Sequence, residues 1–356
     1  MSVPATGAGS ATAPHVRRER LIGLALVVVS ACGYGSGGLF AKPVYGSGVD
    51  WLTLMTWRFL LAAVLSWLWL AAWPANRRAL KTLSRRRVGI LVALGVFFVG
   101  NTATYYAALE SVDVSLTALI VYLYPALVAV LSIRWGRRLE GRRPWLALVI
   151  ATAGVALAVG GIDATVMPPL LGLALAVLSP IWYAVYIVLS ARLAGERPTA
   201  PAGRERGDSQ TAVPHESESV PPSEETDPAS ASAVMMTATF VAYVAIVAAA
   251  GRPVLDPGAI PAEAWLGVLG IGIVSTAIAV QTFYAGARRL GAAQASLVST
   301  VEPVYTIALA TLLLGEVLSP IQLVGGVLVI AGVILAQTAR PVRDAGDPRE
   351  VRAAAA

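Results

Sequence analysis

Residues Tyr284–Gly332 read YAGARRLGAAQASLVSTVEPVYTIALATLLLGEVLSPIQLVGGVLVIAG, and this stretch decides the architecture. Two apolar runs, Ala293–Leu314 and Ile321–Thr338, flank a short turn carrying Glu316 and Pro320. Each run is long enough to cross a bilayer core as a helix, which takes ~20 apolar residues. Glu302-Pro303 sits inside the first run, a carboxylate and a helix breaker at a depth where lipid excludes both. An earlier segment, Tyr106–Gly154, repeats the layout: Tyr106 matches Tyr284, Pro125 matches Pro303 and Gly154 matches Gly332. The chain is built from two copies of one unit.

Composition sets the class. The 356 residues are 56% hydrophobic and 13% charged, against ~25% charged in soluble domains. That predicts an integral membrane protein crossing the bilayer many times. Arginine far outnumbers lysine among the basic residues, which hints at a GC-rich bacterial genome. A net charge of +6 invites a nucleic-acid reading, but the basic residues lie in short loops between spans, so no nucleic-acid partner is expected. Cys32 is the single cysteine, so no internal disulfide forms. His15 and His215 fall in polar segments, which removes a histidine metal site and a histidine proton relay. The sequence holds no glycine loop for nucleotides, no catalytic triad and no metal-ligand cluster. The reading is a non-enzyme without cofactor or metal, and ATP-driven transport by this chain alone is not expected.

Hydropathy places ten spans, at 21–41, 51–73, 88–108, 112–133, 145–161, 168–192, 233–251, 264–285, 293–314 and 321–339. The first run contains Val29-Ser30-Ala31-Cys32, which looks like a lipoprotein cleavage box. Yet Leu21–Ser30 (LIGLALVVVS) returns almost unchanged as Leu170–Ser179 (LLGLALAVLS). A cleaved leader would not be duplicated inside the chain, so the run reads as a span. The first unit covers 21–161; the second covers 168–192 and 233–339. Residues 193–232, rich in Pro, Ser, Glu and Ala, read as a disordered linker inserted in the second unit. Residues 1–20 and 340–356 read as polar tails.

Charge gives the orientation. With both termini in the cytoplasm, every basic residue except Lys42, Arg252 and the intramembrane Arg58 falls on the inner side. Five spans per unit is odd, so the second unit enters the membrane upside down. The charges agree: Arg138, in the basic loop RWGRRLEGRR, aligns with Glu316 in GEVLSP. The expected fold is all-α, ten transmembrane helices arranged as two inverted five-helix repeats in the cell (inner) membrane, with tails and linker cytoplasmic.

The stretch also resembles the EamA family of the drug/metabolite transporter superfamily. The likeness rests on A–S-L–S at Ala293–Ser299, Glu302-Pro303, Gly315-Glu316 and the G—AG of the closing helix. Tyr34-Gly35-Ser36 followed by Lys42 is similar to the family's W-G-S/T followed by Lys, with Tyr in place of Trp. The resemblance implies a secondary transporter that exports amino acids or related small metabolites. Efflux of drugs or lipophilic cations is the alternative, and a lipid scramblase or a membrane protein without transport stands behind it. The partners are the lipid bilayer, a small-molecule substrate, a proton or counter-substrate as coupling species, and a homodimer is compatible with the reading.

Candidate site residues follow from depth and chemistry. Glu302 is the only acid near the middle of a span, ~18 Å below the outer end of its helix; it must pair, bind a proton or face a wet cavity. Its counterpart in the first unit is Tyr124. Pro303 removes the hydrogen bond to the carbonyl of Ser299, and Pro125 does the same to Val121, so both mark breaks fit for gating. Arg58 lies ~10 Å below the outer surface and must face the interior with a partner: a substrate carboxylate, Glu302, or freed carbonyls. Tyr34, Asn101, Tyr105, Tyr124, Trp182, Tyr186 and Gln281 reach similar depth, as does Tyr122, and suit an aromatic wall with a few polar groups. Packing explains each of these as well. Gly33, Gly35, Gly37 and Gly38 open two turns of the first span to close contact or a cavity wall, while snorkelling accounts for Lys42. Glu110, Asp113, Asp163 and Glu316 sit at outer helix ends, as solvated or capping groups.

Overall fold

A computed structural model describes residues 13–81, 83–135, 142–160, 167–193, 227–253, 255–290, 295 and 298–337. The expectations for linker residues 194–226, for the ends of both tails, and for Arg138 and Asp163 lie outside the described residues.

Every element among the described residues is helical. In chain order they are α1 (Ala13–Gly35), α2 (Gly37–Gly46), α3 (Trp51–Ala72), α4 (Pro74–Lys81) and α5 (Arg85–Ala108). Next come α6 (Val114–Val121), α7 (Tyr124–Trp135), α8 (Arg143–Gly160), α9 (Leu170–Leu193) and α10 (Pro228–Ala249). The chain closes with α11 (Trp265–Gly272), a π-helical turn (Ile273–Ile278), α12 (Ala279–Leu290), α13 (Val301–Leu314) and α14 (Pro320–Gln337). Six segments are long and apolar enough to cross a membrane: Arg18–Gly46, Trp51–Ala72, Arg85–Ala108, Leu170–Ser190, Ala229–Ala249 and Ala262–Ala287. Four further apolar helices are shorter: Val114–Val128, Trp145–Ala158, Val301–Leu314 and Pro320–Leu335.

The surface is that of a protein solvated by lipid. Leu171, Leu266, Leu312 and Val317 are each more than 70% exposed, while Ser30, Ser115, Ser179 and Thr239 are fully buried. Without a hydrophobic drive between helices, small side chains and hydroxyl bonds hold the bundle. Ser30 donates to the Ala279 carbonyl at 2.7 Å, joining α1 to α12. Thr239 donates to the Gly95 carbonyl at 2.7 Å, and the Thr102 and Tyr243 hydroxyls meet at 2.8 Å, joining α5 to α10. Trp67 reaches Thr237 at 2.9 Å between α3 and α10. Helices α8 and α14 cross backbone on backbone: a Cβ added at Gly154 would lie 2.6 Å from the Gly325 carbonyl oxygen. The matched glycines of the two units thus serve one close crossing. The other main packed pairs are α5 with α9, α7 with α9, α1 with α13, α6 with α13, and α3 with α11 and the π turn.

Two boundaries differ from the sequence reading. Helix α1 starts at Ala13, so residues 13–20 are helical and not a tail; Glu19 there pairs with Arg289 of α12 at 3.1 Å. Helix α10 starts at Pro228, inside the expected linker. Asp227 caps it by accepting the Ser230 amide at 3.1 Å, with Pro228 in the first turn, a start signal that the polar composition hid.

Candidate functional site

Four spans lose regular α-helical bonding, and side chains tie these breaks together. The apolar segment Arg18–Gly46 breaks at Ser36, between α1 and α2; Val114–Val128 breaks at Tyr122-Leu123, between α6 and α7; Ala262–Ala287 carries the π turn; and residues 298–300 precede α13. Proline accounts for two of them. Pro303 denies the Ser299 carbonyl its usual partner, and that oxygen instead accepts the Glu302 amide at 3.0 Å and the Tyr122 hydroxyl at 3.1 Å. Tyr122 also lies 2.9 Å from Glu302 Oε2. A side chain from the α6/α7 break therefore holds both the carbonyl freed by Pro303 and the carboxylate in the first turn of α13.

Helix α13 is also bound to the break in the first span. Thr306 donates to the Gly35 carbonyl at 3.1 Å, and the Tyr305 hydroxyl meets Ser36 Oγ at 3.0 Å. The approach needs glycine: a Cβ at Gly35 would sit 2.5 Å from Thr306 Oγ1, and one at Gly37 would sit 2.5 Å from the Tyr106 hydroxyl. A Cβ at Gly33 would sit 3.0 Å from Ala279 Cβ, and one at Gly38 would sit 2.7 Å from Val114 Cγ1. The four glycines admit four different neighbours, the close-contact half of their sequence reading.

Arg58 lies on α3 with 6% of its surface exposed. Its Nε donates to Thr276 Oγ1 of the π turn at 2.8 Å, and Thr276 in turn donates to the Ile271 carbonyl at 2.9 Å. The guanidinium stands 4.7 Å from the centre of the Tyr106 ring, a cation–π contact, with Met55 Sδ 3.9 Å from Nη1. No carboxylate among the described residues lies within ion-pair distance of it; the ion pairs there are Arg252–Asp50 and Arg289–Glu19. Arg58 and Glu302 are therefore not paired. Neighbouring Ser275 Oγ is buried without a hydrogen-bond partner among the described residues.

Several tyrosines lie near the two charges. Tyr34, Tyr105 and Tyr106 lie within electrostatic reach of both Glu302 and Arg58; Tyr124 and Tyr183 lie within reach of Glu302. Tyr124 packs edge-on against Tyr183 at 4.7 Å, Tyr183 stacks on Tyr186 at 6.2 Å, and Tyr105 meets Tyr106 at 5.0 Å. Glu302 keeps part of its surface accessible. Trp182 and Asn101 serve packing between α5 and α9: the Trp182 indole donates to the Phe97 carbonyl at 2.8 Å, and Ser179 donates to Asn101 at 3.2 Å. Gln281, half-buried on α12, makes no hydrogen bond among the described residues. Sequence reasoning passed over Ser275, Thr276, Tyr305 and Thr306; it met Ser36 only within the Tyr34-Gly35-Ser36 motif and Tyr122 only as one aromatic of the wall. Hydroxyls in a membrane helix carry no signal until a partner from a distant helix is seen.

The opposite end of the bundle from Arg289 holds a separate polar layer. Glu316 accepts the amides of Val114 at 2.9 Å and Ser115 at 2.8 Å, capping α6. Burial and the Glu316 charge push the neighbouring Asp113 carboxyl up, with Lys42 pulling it down. Glu110 accepts the Trp51 amide at 2.6 Å at the start of α3. Arg252 grips Asp50 with both nitrogens, at 2.6 and 2.7 Å. Burial raises the Asp50 carboxyl, but the bonds from Arg252 and Thr53 outweigh it and bring it down to about 2.

Known proteins place this geometry. The profile of the EamA-like transporter family matches residues 21–160 and 222–338. An uncharacterized transporter of Archaeoglobus fulgidus is 24% identical over 315 residues, covering 88% of this chain and 96% of its own. A protein crystal structure at 18% identity matches with a TM-score of 0.56 over 90% of this chain and 96% of its own, which speaks to the fold alone. With both halves matched, broken helices at the centre and a lipid-facing exterior, this multi-pass membrane protein belongs to the EamA-like transporter family.

Proposed function

We propose that this transporter is a secondary exporter of amino acids or closely related zwitterionic metabolites, working by alternating access. One observation carries the reading: two groups of opposite charge within apolar helices, the buried Arg58 and the part-exposed Glu302, are not paired with each other and lie within electrostatic reach of a shared set of tyrosines. A buried charge without a counter-charge is costly in a membrane, so the arrangement is matched by a ligand bearing an ammonium and a carboxylate. Arg58, with Ser275 beside its Thr276 partner, would take the carboxylate; Glu302 would take the ammonium or a coupled proton. The tyrosines, with Glu302 as the buried acid, also favour a second reading, efflux of lipophilic cations through cation–π contacts.

The scaffold in this proposal is ten spans in two inverted repeats, with tails and linker in the cytoplasm of a cell whose inner membrane it occupies. The packing supports it. Exchanging the first five spans with the last five turns α1–α12 into α5–α9, α5–α10 into α3 with α11 and the π turn, and α7–α9 into α1–α13. The pairs α3–α10 and α8–α14 map onto themselves. A two-fold duplication requires this pattern; five spans per copy then make the second copy enter the membrane inverted, with a substrate site expected near the interface of the halves, at broken helices. Proteoliposomes loaded with unlabelled amino acids should take up labelled ones by counterflow, without accelerated lipid flipping. Flipping without counterflow, or counterflow of lipophilic cations alone, would overturn the amino-acid assignment.

A further inference from the structure

The Tyr122 hydroxyl has one hydrogen and two acceptors within reach, Glu302 Oε2 at 2.9 Å and the Ser299 carbonyl at 3.1 Å. An ionised Glu302 is acceptor-only, so it takes that hydrogen and leaves Ser299 with the Glu302 amide alone. A protonated Glu302 can itself donate to the Tyr122 oxygen, and the Tyr122 hydrogen then turns to Ser299. One proton taken up from water by the carboxyl thus reverses a chain of two hydrogen bonds. The reversal acts where the helix is already broken, because Ser299 is the carbonyl freed by Pro303, and Tyr122 itself sits in the break between α6 and α7.

We propose that Tyr122 is the positioning residue through which the charge of Glu302 is read by the protein: protonation ties the α6/α7 break to the Ser299 carbonyl, and ionisation releases it. The coupled ion is then a proton, and the element it biases is the contact between the two units at α6 and α13. This rests on the reading of Glu302 as the coupling group and adds the device that transmits its state. The groups facing Glu302 are few. They are Cys32 and Tyr34 from α1, Tyr105 and Tyr106 from α5, Tyr122 and Tyr124 from the α6–α7 segment, and Tyr183 from α9. Arg58 of α3 is beyond ion-pair distance. Most of these are neutral hydroxyls over the working pH range, so the titration of this set is dominated by Glu302.

Infrared difference spectra of the purified full chain in lipid, recorded between acid and alkaline buffer, isolate the carboxylic C=O band that Glu302→Gln removes. This readout needs no substrate, so it fails separately from the amino-acid assignment. In Tyr122→Phe, which keeps the ring, the band should shift in frequency and its midpoint should move by roughly tenfold in proton affinity, the effect of one hydrogen bond to a charged group. A fluorotyrosine at position 122 keeps the hydroxyl and fold but strengthens the donor, and should move the midpoint the opposite way. A midpoint and frequency unchanged in the folded fluorotyrosine protein would overturn the proposal, as would the absence of any band that depends on Glu302.

Discussion

Replacing Glu316 by alanine should weaken the bundle at one identifiable point. Its carboxylate accepts two amides, Val114 and Ser115, at 2.9 and 2.8 Å, and these belong to the first turn of α6. The first amides of a helix have no partner within it, and the Asp113 side chain makes no cap bond here. Hydrogen bonds to a charged group contribute about 1.5–3 kcal/mol each, and a lost N-terminal cap costs about 0.5–2 kcal/mol. Because water can reach the freed amides in part, about 2–3 kcal/mol is expected for the pair, which also gains from the positive end of the helix dipole. At 1.4 kcal/mol per tenfold, amide exchange in the segment around 114–115 should accelerate about 30- to 150-fold in Glu316→Ala. Glu316→Gln, which keeps one acceptor oxygen, should fall between. Glu110→Ala removes one bond to the exposed Trp51 amide and should change local exchange at 51 by less than tenfold, about 1 kcal/mol. Exchange around 114–115 that is unchanged in Glu316→Ala would refute the capping argument.

Three further predictions bear on the frame. With Cys32→Ala as background, Ser319→Cys should react with an impermeant thiol reagent in intact cells and Ser217→Cys should not; labelling of Ser217→Cys from outside would invert the orientation. Replacing residues 200–225 by about ten Gly/Ser residues should preserve expression and transport, since a flexible chain reaches ~5–6 Å × √n, whereas deletion through Asp227 should unseat the start of α10; lost transport at normal membrane abundance in the shorter deletion would give the linker an active role. Asp50, held down at about 2 against an unfolded value of about 3.9, should stabilise the fold fully above pH about 4 and lose that contribution as the pH falls through about 2. The pair is partly exposed, so the loss should be at most about 1 kcal/mol, and Asp50→Asn should flatten it; a variant with the same acid sensitivity as wild type would reassign the effect.

Much of this molecule is legible in its sequence. The two prolines marked real breaks because proline removes a donor whatever its surroundings, whereas Gly154 and Gly332, read in the sequence only as matched positions, both turn out to lie in the close α8–α14 crossing. Arg58 and Glu302 stood out by cost alone. What stayed hidden depends on distant partners. The break at Ser36 has no proline at its site, and the Ile273–Ile278 turn reads like any apolar helix; its widened backbone turn, across which the Thr276 hydroxyl reaches the Ile271 carbonyl, shows only in the fold. Tyr122 looked like one aromatic among several, because the contact that distinguishes it spans 180 positions of sequence. Pairing Arg58 with Glu302 was one reading open to the sequence; the structure instead gives Arg58 a hydroxyl and an aromatic face.

The most direct test of the central claim is Glu302→Gln in proteoliposomes under an imposed pH gradient. The change keeps the size and one acceptor for Tyr122 but removes the charge. Wild-type protein should drive labelled amino acid against its concentration gradient. The variant, at equal abundance and with an unchanged melting profile, should lose gradient-driven accumulation and its dependence on pH. Accumulation in the variant at the wild-type rate, with the wild-type pH profile, would contradict the account.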